Sequence, residues 1–593
     1  MGAQRFAYLD VLKAIAVIAV VLYHVGFLKY GYLGVDIFLV IAGFLTTKSL
    51  ADGKKGYLPF FFSRVIRLLP VLLVAGVAVM LLGWFTMLPD DYENLAESVV
   101  ATDVFGNNIL SAITTKDYWN IANDYKPLMH TWYVGLLMQF YIVYPLLFYI
   151  AKQDKTTPQR TLVTVVASLA VLSLLWYFSC SNEASRFYYL PARFFEFAAG
   201  GIIALAYNPS RKGLFHPSFS FLCYVLLLAL LIVGDELIPA VVRLPLVVAL
   251  CCVLILSADS LSNLLTSNAV LANIGVASYS IYVWHQVLLA FYRYIIGGPF
   301  TVWTFLLYIM AVGVISWGSY RLIEQGLSRM IGKRVVVATF VIWLLLTGFA
   351  GYVYMNAGVV RDVPELGISV QNRHHRMNAE YTDCGYQYDR PFVHKDKVHW
   401  LVFGDSFGRD FVNMIQESDI ADQVEVSYTD DYSKPTNQER FEMADRIFVS
   451  TRGLRTRLVS AVEMQCWNHG LSPDKIVVVG AKSFGVNNGH IYANRRKPDY
   501  FDQRVEAEGG ARFLDRNSRL REFYGERFLD LMAMVTDNTG HIRVFTPDHH
   551  FISADGKHLT RYGAKYFAER INWNKYLLAE GENTDFTDYS LIP

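Results

Sequence analysis

Two sets of residues in this chain have the types and spacing for group-transfer chemistry. The first is Gly404-Asp405-Ser406 together with Asp555-Gly556-Lys557-His558. Ser406 follows a short apolar run, 398–403, that reads as a buried strand, and it precedes a helical pattern starting near Arg409. A serine between a strand end and a helix N-terminus holds its hydroxyl at a sheet edge, where backbone N–H groups can bind an oxyanion. Asp555 and His558 are three apart and precede a helix expected over about 562–571. They suit a base and its orienting carboxylate, with Ser406 as nucleophile, His558 as base and Asp555 as orienter. The second set is Lys13 and His24, eleven positions apart on one apolar run. Eleven positions are about three helical turns, so both side chains share nearly one face, roughly 16 Å apart. Charged groups within a membrane-length run are functional candidates. One of this pair can hold an anion while the other gives or takes a proton. The same spacing also fits a snorkelling lysine beside a hydrogen-bonded histidine.

The elements that position these residues follow from composition. The chain has 593 residues, 53% of them apolar and only 18% charged. A soluble domain carries roughly 25% charge, so membrane sequence weights the average. With 53 basic and 52 acidic residues the net charge is +1. A nucleic-acid binder needs a basic face, which this balance excludes. Disorder, collagen and a disulfide-dense mini-scaffold are excluded as well.

The apolar excess ends near residue 355. About eleven runs approach the roughly 20 residues that cross a bilayer, at 7–28, 31–47, 68–88, 133–151, 161–180, 193–207, 215–234, 243–257, 278–296, 300–320 and 335–355. The expected architecture is a polytopic helical bundle of about 10–11 spans, then an α/β domain with a parallel sheet. Its parts are a membrane domain over 1–330, a further span and linker over 331–365, and an external domain over 366–593. The first run lacks a cleavage site and holds Lys13, so it reads as a span rather than a cleaved signal.

Lysine and arginine in short loops set the orientation. With the N-terminus in the cytoplasm, Lys48, Lys54, Lys55, Arg64 and Arg67 fall inside. So do Lys152, Lys155, Arg160, Arg211, Lys212, Arg321, Arg329, Lys333 and Arg334. The acidic 89–131 loop falls outside, and an odd span count puts the C-terminal domain outside too. The strands 446–450 and 475–480, with a fourth expected at 541–545, alternate with helices and argue for the parallel sheet. Cys384 and Cys466 are the two cysteines of this domain; a disulfide fits an oxidising compartment, and two unpaired thiols are the alternative. No Cys/His spacing suggests zinc, and no nucleotide-type glycine pattern is present.

The membrane half is similar to the acyltransferase-3 family. The carrying strings, in order, are Lys13 to His24, 34–45 (GVDIFLVIAGFL), 64–70 (RVIRLLP), His130-Thr131-Trp132 with Gln139-Phe140-Tyr141, Arg193 with Glu196, 278–282 (SYSIY) with Trp284-His285, and Tyr320-Arg321 with Glu324. Two departures stand out. Lys13 occupies the position where the family usually has Arg, exchanging a bidentate fork for a point charge. Leu137 and Met138 stand where an acidic residue is usual. The resemblance implies an acyl donor, usually acetyl-CoA, reached from the cytoplasm and bound by Lys13, Arg64 and Arg67. It implies no resident cofactor or metal. Without it, Arg64 and Arg67 read as positive-inside topology, and Arg193–Glu196 as a self-neutralising i,i+3 pair.

Gly-Asp-Ser with a late Asp-x-x-His resembles the SGNH hydrolases. That family takes oxyanion donors from a Gly and an Asn in intermediate blocks. Here 450–453 (STRG) and Asn487-Asn488 are both candidates, and neither is singled out. His549 and His550 are alternative bases, and His374 and His375 look like linker residues. A fused chain of this kind resembles the bacterial O-acetyltransferases of surface glycans. It implies a multi-pass inner-membrane protein with a periplasmic C-terminal domain. Its partners would be acetyl-CoA, lipids and a glycan acceptor such as lipopolysaccharide O-antigen, with His24 as general base or transient acyl carrier. Alternatives are a membrane-anchored periplasmic carbohydrate esterase, a peptidoglycan O-acetyltransferase, transfer of another acyl group, and a transporter, though no inverted repeat is evident.

Overall fold

A computed structural model of the protein describes residues 7–52, 56–114, 124–206, 216–234, 236–257, 268–329, 333–372, 379–431, 437–452, 456–468 and 470–577. Lys54, Lys55, Arg211, Lys212, His374, His375 and Gly453 lie outside them. The chain divides into two units, Met1–Met87 with Asp91–Gly358, and Leu88–Asp90 with Val359–Pro593.

The first unit is helical: α1 (Ala7–His24), α2 (Gly34–Ala51), α3 (Tyr57–Thr86), α4 (Pro89–Asp103), α5 (Asn107–Thr114), α6 (Trp132–Ala151), α7 (Pro158–Ser179), α8 (Glu183–Tyr188), α9 (Leu190–Ala206), α10 (Pro217–Ile232), α11 (Ala240–Leu256), α12 (Ala269–Val276), α13 (Ser278–Ile295), α14 (Val302–Ser319) and α15 (Lys333–Met355). Each of the eleven apolar runs falls on one of these. Among the described residues seven helices are long and apolar enough to cross a membrane, eight if α12 and α13, bent by 73°, form one span. The apolar helices α10 and α11 are shorter. Leu306, Met310 and Val314 on α14, and Val337, Val341 and Leu345 on α15, are exposed. That pattern suits a helix whose solvent is hydrocarbon.

Inside the bundle, Leu12, Ile37, Phe44, Leu227 and Val247 share one core. Arg193 on α9 is buried and bridges to Asp36 on α2 as well as to Glu196. The expected self-neutralising pair is therefore a three-group ion cluster joining two helices. Unsatisfied backbone is costly in hydrocarbon, so a broken helix is tolerated where it lines a cavity. The α12–α13 break does so, contributing Gly275, Val276, Ser278 and Tyr279 to a pocket wall.

The second unit is α/β. Strands β1 (Val398–Gly404), β2 (Val424–Thr429), β3 (Arg446–Ser450), β4 (Ile476–Val479), β5 (Arg504–Val505), β6 (Phe528–Leu529) and β7 (Ile542–Arg543) form two sheets. The larger has the order β2-β1-β3-β4-β6, with every pairing parallel. Strand alternation divides the core between its two faces. Trp400, Val402, Phe448 and Val477 meet helix α16 (Ser406–Gln416) on one face. Leu401, Phe403, Ile447 and Val478 meet helix α17 (Thr456–Asn468) on the other. A further helix, α18 (Arg561–Ala568), follows the His558 loop.

Two expectations are corrected. The 541–545 segment is not a strand of the parallel sheet: β7 pairs antiparallel with β5 in a separate two-stranded sheet. The places in the main sheet go to β2 and β6. Strand β2 escapes a hydropathy reading because Glu425, Ser427 and Thr429 alternate along it, each satisfied by hydrogen bonds. Glu425 accepts from the backbone N–H groups of Val393 and His394, Ser427 Oγ donates to the Arg390 carbonyl, and Thr429 Oγ1 accepts from Asn437 Nδ2. The second correction is the disulfide: Cys384 and Cys466 are free thiols, the first exposed and the second buried. Cys466, on α17, belongs to the apolar cluster on that face. Cys384 opens a turn, Cys384–Tyr388, that packs on α16, which covers the opposite face.

Candidate functional site

The Ser406 site is assembled by chain geometry at the end of β1. Asp405 caps α16, its carboxylate accepting from the Phe407 N–H at 2.9 Å and from the Arg452 N–H at 3.0 Å. This starts the helix at Ser406, earlier than the pattern near Arg409 implied, and puts the hydroxyl at the positive end of the helix dipole. Gly404 is required here, because a Cβ would lie 1.8 Å from the Ser450 carbonyl oxygen on β3.

His558 Nε2 is 2.8 Å from Ser406 Oγ, and His558 Nδ1 is 2.6 Å from Asp555 Oδ2. A carboxylate only accepts, so Nδ1 carries the hydrogen, and Nε2 is free to accept from the Ser406 hydroxyl. Asp555 Oδ1 also accepts from the backbone N–H groups of Lys557 and His558, both at 2.8 Å. The intervening Gly556 has φ +80°, which favours glycine, and a Cβ there would meet the Gly485 carbonyl oxygen at 2.4 Å. Burial raises a carboxyl's pKa, but these hydrogen bonds and the His558 ring hold Asp555 well below the usual carboxylate range. For His558 burial opposes the charged ring, yet the bond and charge of Asp555, with Asp410 beyond, outweigh it and raise the imidazole above its ordinary value. Such a chain can deprotonate a serine for attack on an acyl carbon.

The alternative bases are engaged elsewhere. His549 stacks on Phe501 and His550 on Tyr562, with centroids 4.0 Å and 3.7 Å apart. The Asn488 amide donates to the Ser553 carbonyl, which supports the loop before Asp555. The Arg452 N–H is engaged by Asp405.

In the first unit, Lys13, Arg64 and Arg67 line one pocket with Phe38, Tyr133, Leu137, Tyr141, Tyr279 and Tyr282. The structure thus brings together the three residues read as donor-binding. The Arg64 guanidinium lies 4.8 Å and 5.3 Å from the rings of Phe60 and Tyr141, and its Nε has no hydrogen-bond partner. Lys13 Nζ is 3.1 Å from Asp10. His24, at the other end of α1, is buried in a group that the spacing argument did not anticipate. Its ring centroid is 5.2 Å from that of His285, which is 5.3 Å from that of His130. Tyr282, on the pocket wall, contacts both rings at 5.2 Å and 5.7 Å, and its hydroxyl donates to the His130 carbonyl. Tyr282 therefore joins the wall of the cationic pocket to the histidines. His285 Nδ1 donates to the Tyr282 carbonyl at 2.6 Å, which leaves Nε2 as a buried lone pair without a partner. His130 and His285 stood in the quoted family strings, but nothing in the spacing told them apart from buried core residues.

Fold and pocket define a multi-pass membrane enzyme of the acyltransferase class. A family model described as an acyltransferase domain matches residues 6–321. The chain belongs to this family. It is 28% identical over 351 residues to the peptidoglycan O-acetyltransferase OatA of Listeria monocytogenes, covering 54% of this chain and 55% of that one. It is 28% identical over 362 residues to a Staphylococcus aureus protein provisionally named an O-acetyltransferase, covering 53% and 56%. It is 32% identical over 207 residues to BcsY of Komagataeibacter xylinus, provisionally a membrane-bound transacylase, covering 34% and 51%. The chain spans about half the length of these relatives.

Proposed function

We propose that the chain moves an acetyl group from cytoplasmic acetyl-CoA, through the membrane, to a hydroxyl of a cell-surface glycan. The observation that carries this reading is the Ser406–His558–Asp555 chain, at 2.8 Å and 2.6 Å, in a protein whose first unit is an acyltransferase. The loop charges favour a cytoplasmic N-terminus and a C-terminal unit outside, on the bacterial inner membrane.

Acetyl-CoA is too charged to cross a bilayer, and an acceptor outside cannot reach it. The donor's phosphates suit Lys13, Arg64 and Arg67, of which the arginines offer bidentate forks. His24 serves as transient carrier, its ring nitrogen bonding the acetyl carbon as the thioester C–S bond breaks and CoA leaves as the thiol, or as general base for the hydroxyl that takes the acetyl group as that bond breaks. Ser406 then takes the acetyl group as an ester: its proton goes to His558, which passes it to the leaving group as the bond between acetyl and carrier breaks, so the imidazole is neutral again for the second half. In the second half the glycan hydroxyl attacks that ester, His558 takes the hydroxyl proton, and the proton returns to Ser406 as the C–O bond breaks. The name of the Listeria relative favours peptidoglycan as acceptor; lipopolysaccharide O-antigen or a related polysaccharide is the alternative that the sequence reading put first.

Ser406→Ala and His24→Ala are each expected to abolish glycan O-acetylation in cells, read by mass spectrometry of peptidoglycan and surface polysaccharide. Full acetylation in either variant removes that residue's role. A second reading, a membrane-anchored esterase, is favoured by the partial exposure of His558 and Asp555, 28% and 38% accessible. Rapid acetate release from glycan esters by the full chain, without transfer, would establish it.

A further inference from the structure

Beneath the Ser406–His558 contact lies a second charged layer. Asp410 stands one helical turn beyond Ser406 on α16 and is fully buried. Its Oδ1 accepts from Thr382 Oγ1 at 2.9 Å. Its Oδ2 accepts from the backbone N–H of Leu559 at 3.0 Å, the residue that follows His558. Lys482, from the segment after β4, places Nζ 2.8 Å from the same Oδ2, with its side chain only 1% accessible. That ammonium also lies 3.3 Å from the centroid of the Phe407 ring. One carboxylate thus joins the helix that carries the nucleophile to the loop that carries the base, across 149 positions of sequence.

We propose that Asp410 is a positioning residue that clamps the His558 loop against the Ser406 helix, with Lys482 as its buried counter-charge. The proposal rests on the reading of Ser406 as nucleophile and His558 as base. Two features support it. The Leu559 N–H is a fixed donor one peptide from His558, so the Asp410 acceptor sets where the imidazole enters the site. The pair is also solvent-free, where an ion pair used only for stability is often matched by apolar residues of similar volume. Retaining a carboxylate, with its two acceptor oxygens each engaged, fits a directional task better than a space-filling one. The Ser406–His558 distance is the one such a clamp protects, since displacement of a catalytic group by about 1 Å can cost on the order of 100-fold.

The test separates the acceptor from the charge. Full-length protein in detergent micelles is given p-nitrophenyl acetate, and kcat, KM and Tm are measured. In Asp410→Asn/Lys482→Met the charges are gone but a carbonyl acceptor remains for Leu559. In Asp410→Leu/Lys482→Met the shape remains but the acceptor is gone. The Asn pair is expected to keep kcat within about threefold of the parent, and the Leu pair to lose on the order of tenfold or more with KM and Tm unchanged. Equal kcat in the two pairs overturns the proposal. If the Leu pair does not fold, Thr382→Val decides, because it loosens the other anchor of Asp410 without stranding a charge. A fall in kcat with KM and Tm unchanged supports the clamp, and the parental kcat overturns it. Ser406→Ala is the reference. If it releases p-nitrophenol at the parental rate, the nucleophile reading fails and the clamp with it. If it is silent while the Leu pair stays fully active, the clamp alone fails.

Discussion

Replacing Asp555 by Asn is the sharpest perturbation of the Ser406 site. Asp555 accepts the Nδ1 hydrogen of His558 at 2.6 Å and two backbone hydrogens at 2.8 Å. A hydrogen bond to a charged group contributes about 1.5–3 kcal/mol, and it strengthens as His558 becomes an imidazolium. Asp555 is 38% accessible, so solvent screening puts the loss at the lower end, about 1.5–2 kcal/mol. At 1.36 kcal/mol per decade this is roughly 10- to 30-fold in rate. An asparagine amide facing Nδ1 also favours the other tautomer, in which Nε2 carries the hydrogen and cannot accept from Ser406. The combined loss is then at least about 100-fold and can approach 10⁴-fold. The pH dependence has a definite sign. Only neutral His558 takes the Ser406 proton, so the rate rises with pH through the imidazole pKa, which is raised here chiefly by Asp555 against the opposing effect of burial. Without that carboxylate, burial and Lys482 disfavour the charged ring, and the acidic limb moves to lower pH. Ester turnover by the full chain between about pH 5 and pH 9 reads both effects. An Asp555→Asn variant within twofold of the parent, or with its acidic limb displaced upward, refutes the reasoning.

Three further outcomes follow from the geometry. Arg64→Met removes a pocket guanidinium that stacks on Phe60 and Tyr141. It is expected to raise KM for acetyl-CoA about tenfold, the loss of one charged contact, while leaving Ser406-dependent ester turnover unchanged; an unchanged KM removes Arg64 from donor binding. Gly404→Ala puts a Cβ 1.8 Å from the Ser450 carbonyl oxygen and is expected to cost about 1–3 kcal/mol, seen as a lower Tm in thermal unfolding. Cys384 is expected to react with a thiol reagent in the native protein and Cys466 only after unfolding, with reductant leaving Tm unchanged; a Tm that falls on reduction contradicts the free thiols.

Much of this architecture was legible because local sequence carries it. Long apolar runs mark helices wherever hydrocarbon is the solvent, and all eleven runs lie on helices. The Ser406–His558–Asp555 arrangement was legible because its members sit at strand and helix ends, where Gly404 and Gly556 are forced by close approach and positive φ and leave a visible Gly-Asp-Ser and Asp-Gly-Lys-His. What the sequence concealed depends on contacts between distant segments. Strand β2 hides its burial behind Glu425, Ser427 and Thr429, whose partners lie outside the strand. The histidine group needs α1, the turn Met129–Thr131 before α6, and α13 side by side, and spacing within one helix could supply only the Lys13–His24 axis. Asp410 reads as an ordinary polar residue of an amphipathic helix until Leu559 and Lys482 are placed against it. For Cys384 and Cys466, compartment chemistry only permits a disulfide and says nothing about which face of a sheet each occupies.

The partial exposure of the Ser406 site constrains how the proposed transfer prevails over hydrolysis. On the proposed function, an acetyl-Ser406 ester beside the partly accessible His558 and Asp555 is open to water as well as to a sugar, and His558 would serve either nucleophile equally. Rate therefore cannot be assigned by the base; it is assigned by orientation. A hydroxyl held about 3–3.5 Å from the ester carbon gains an effective concentration of up to about 10⁵–10⁸ M over a free one, far above that of bulk water. In the proposed reaction, acceptor binding must then supply the specificity that Ser406, His558 and Asp555 lack. Surface residues around Ser406 and His558 should then change the ratio of transferred to hydrolysed acetyl without changing the rate at which Ser406 is acylated. A variant series in which that ratio moves only together with the acylation rate would show that the acceptor does not bind there.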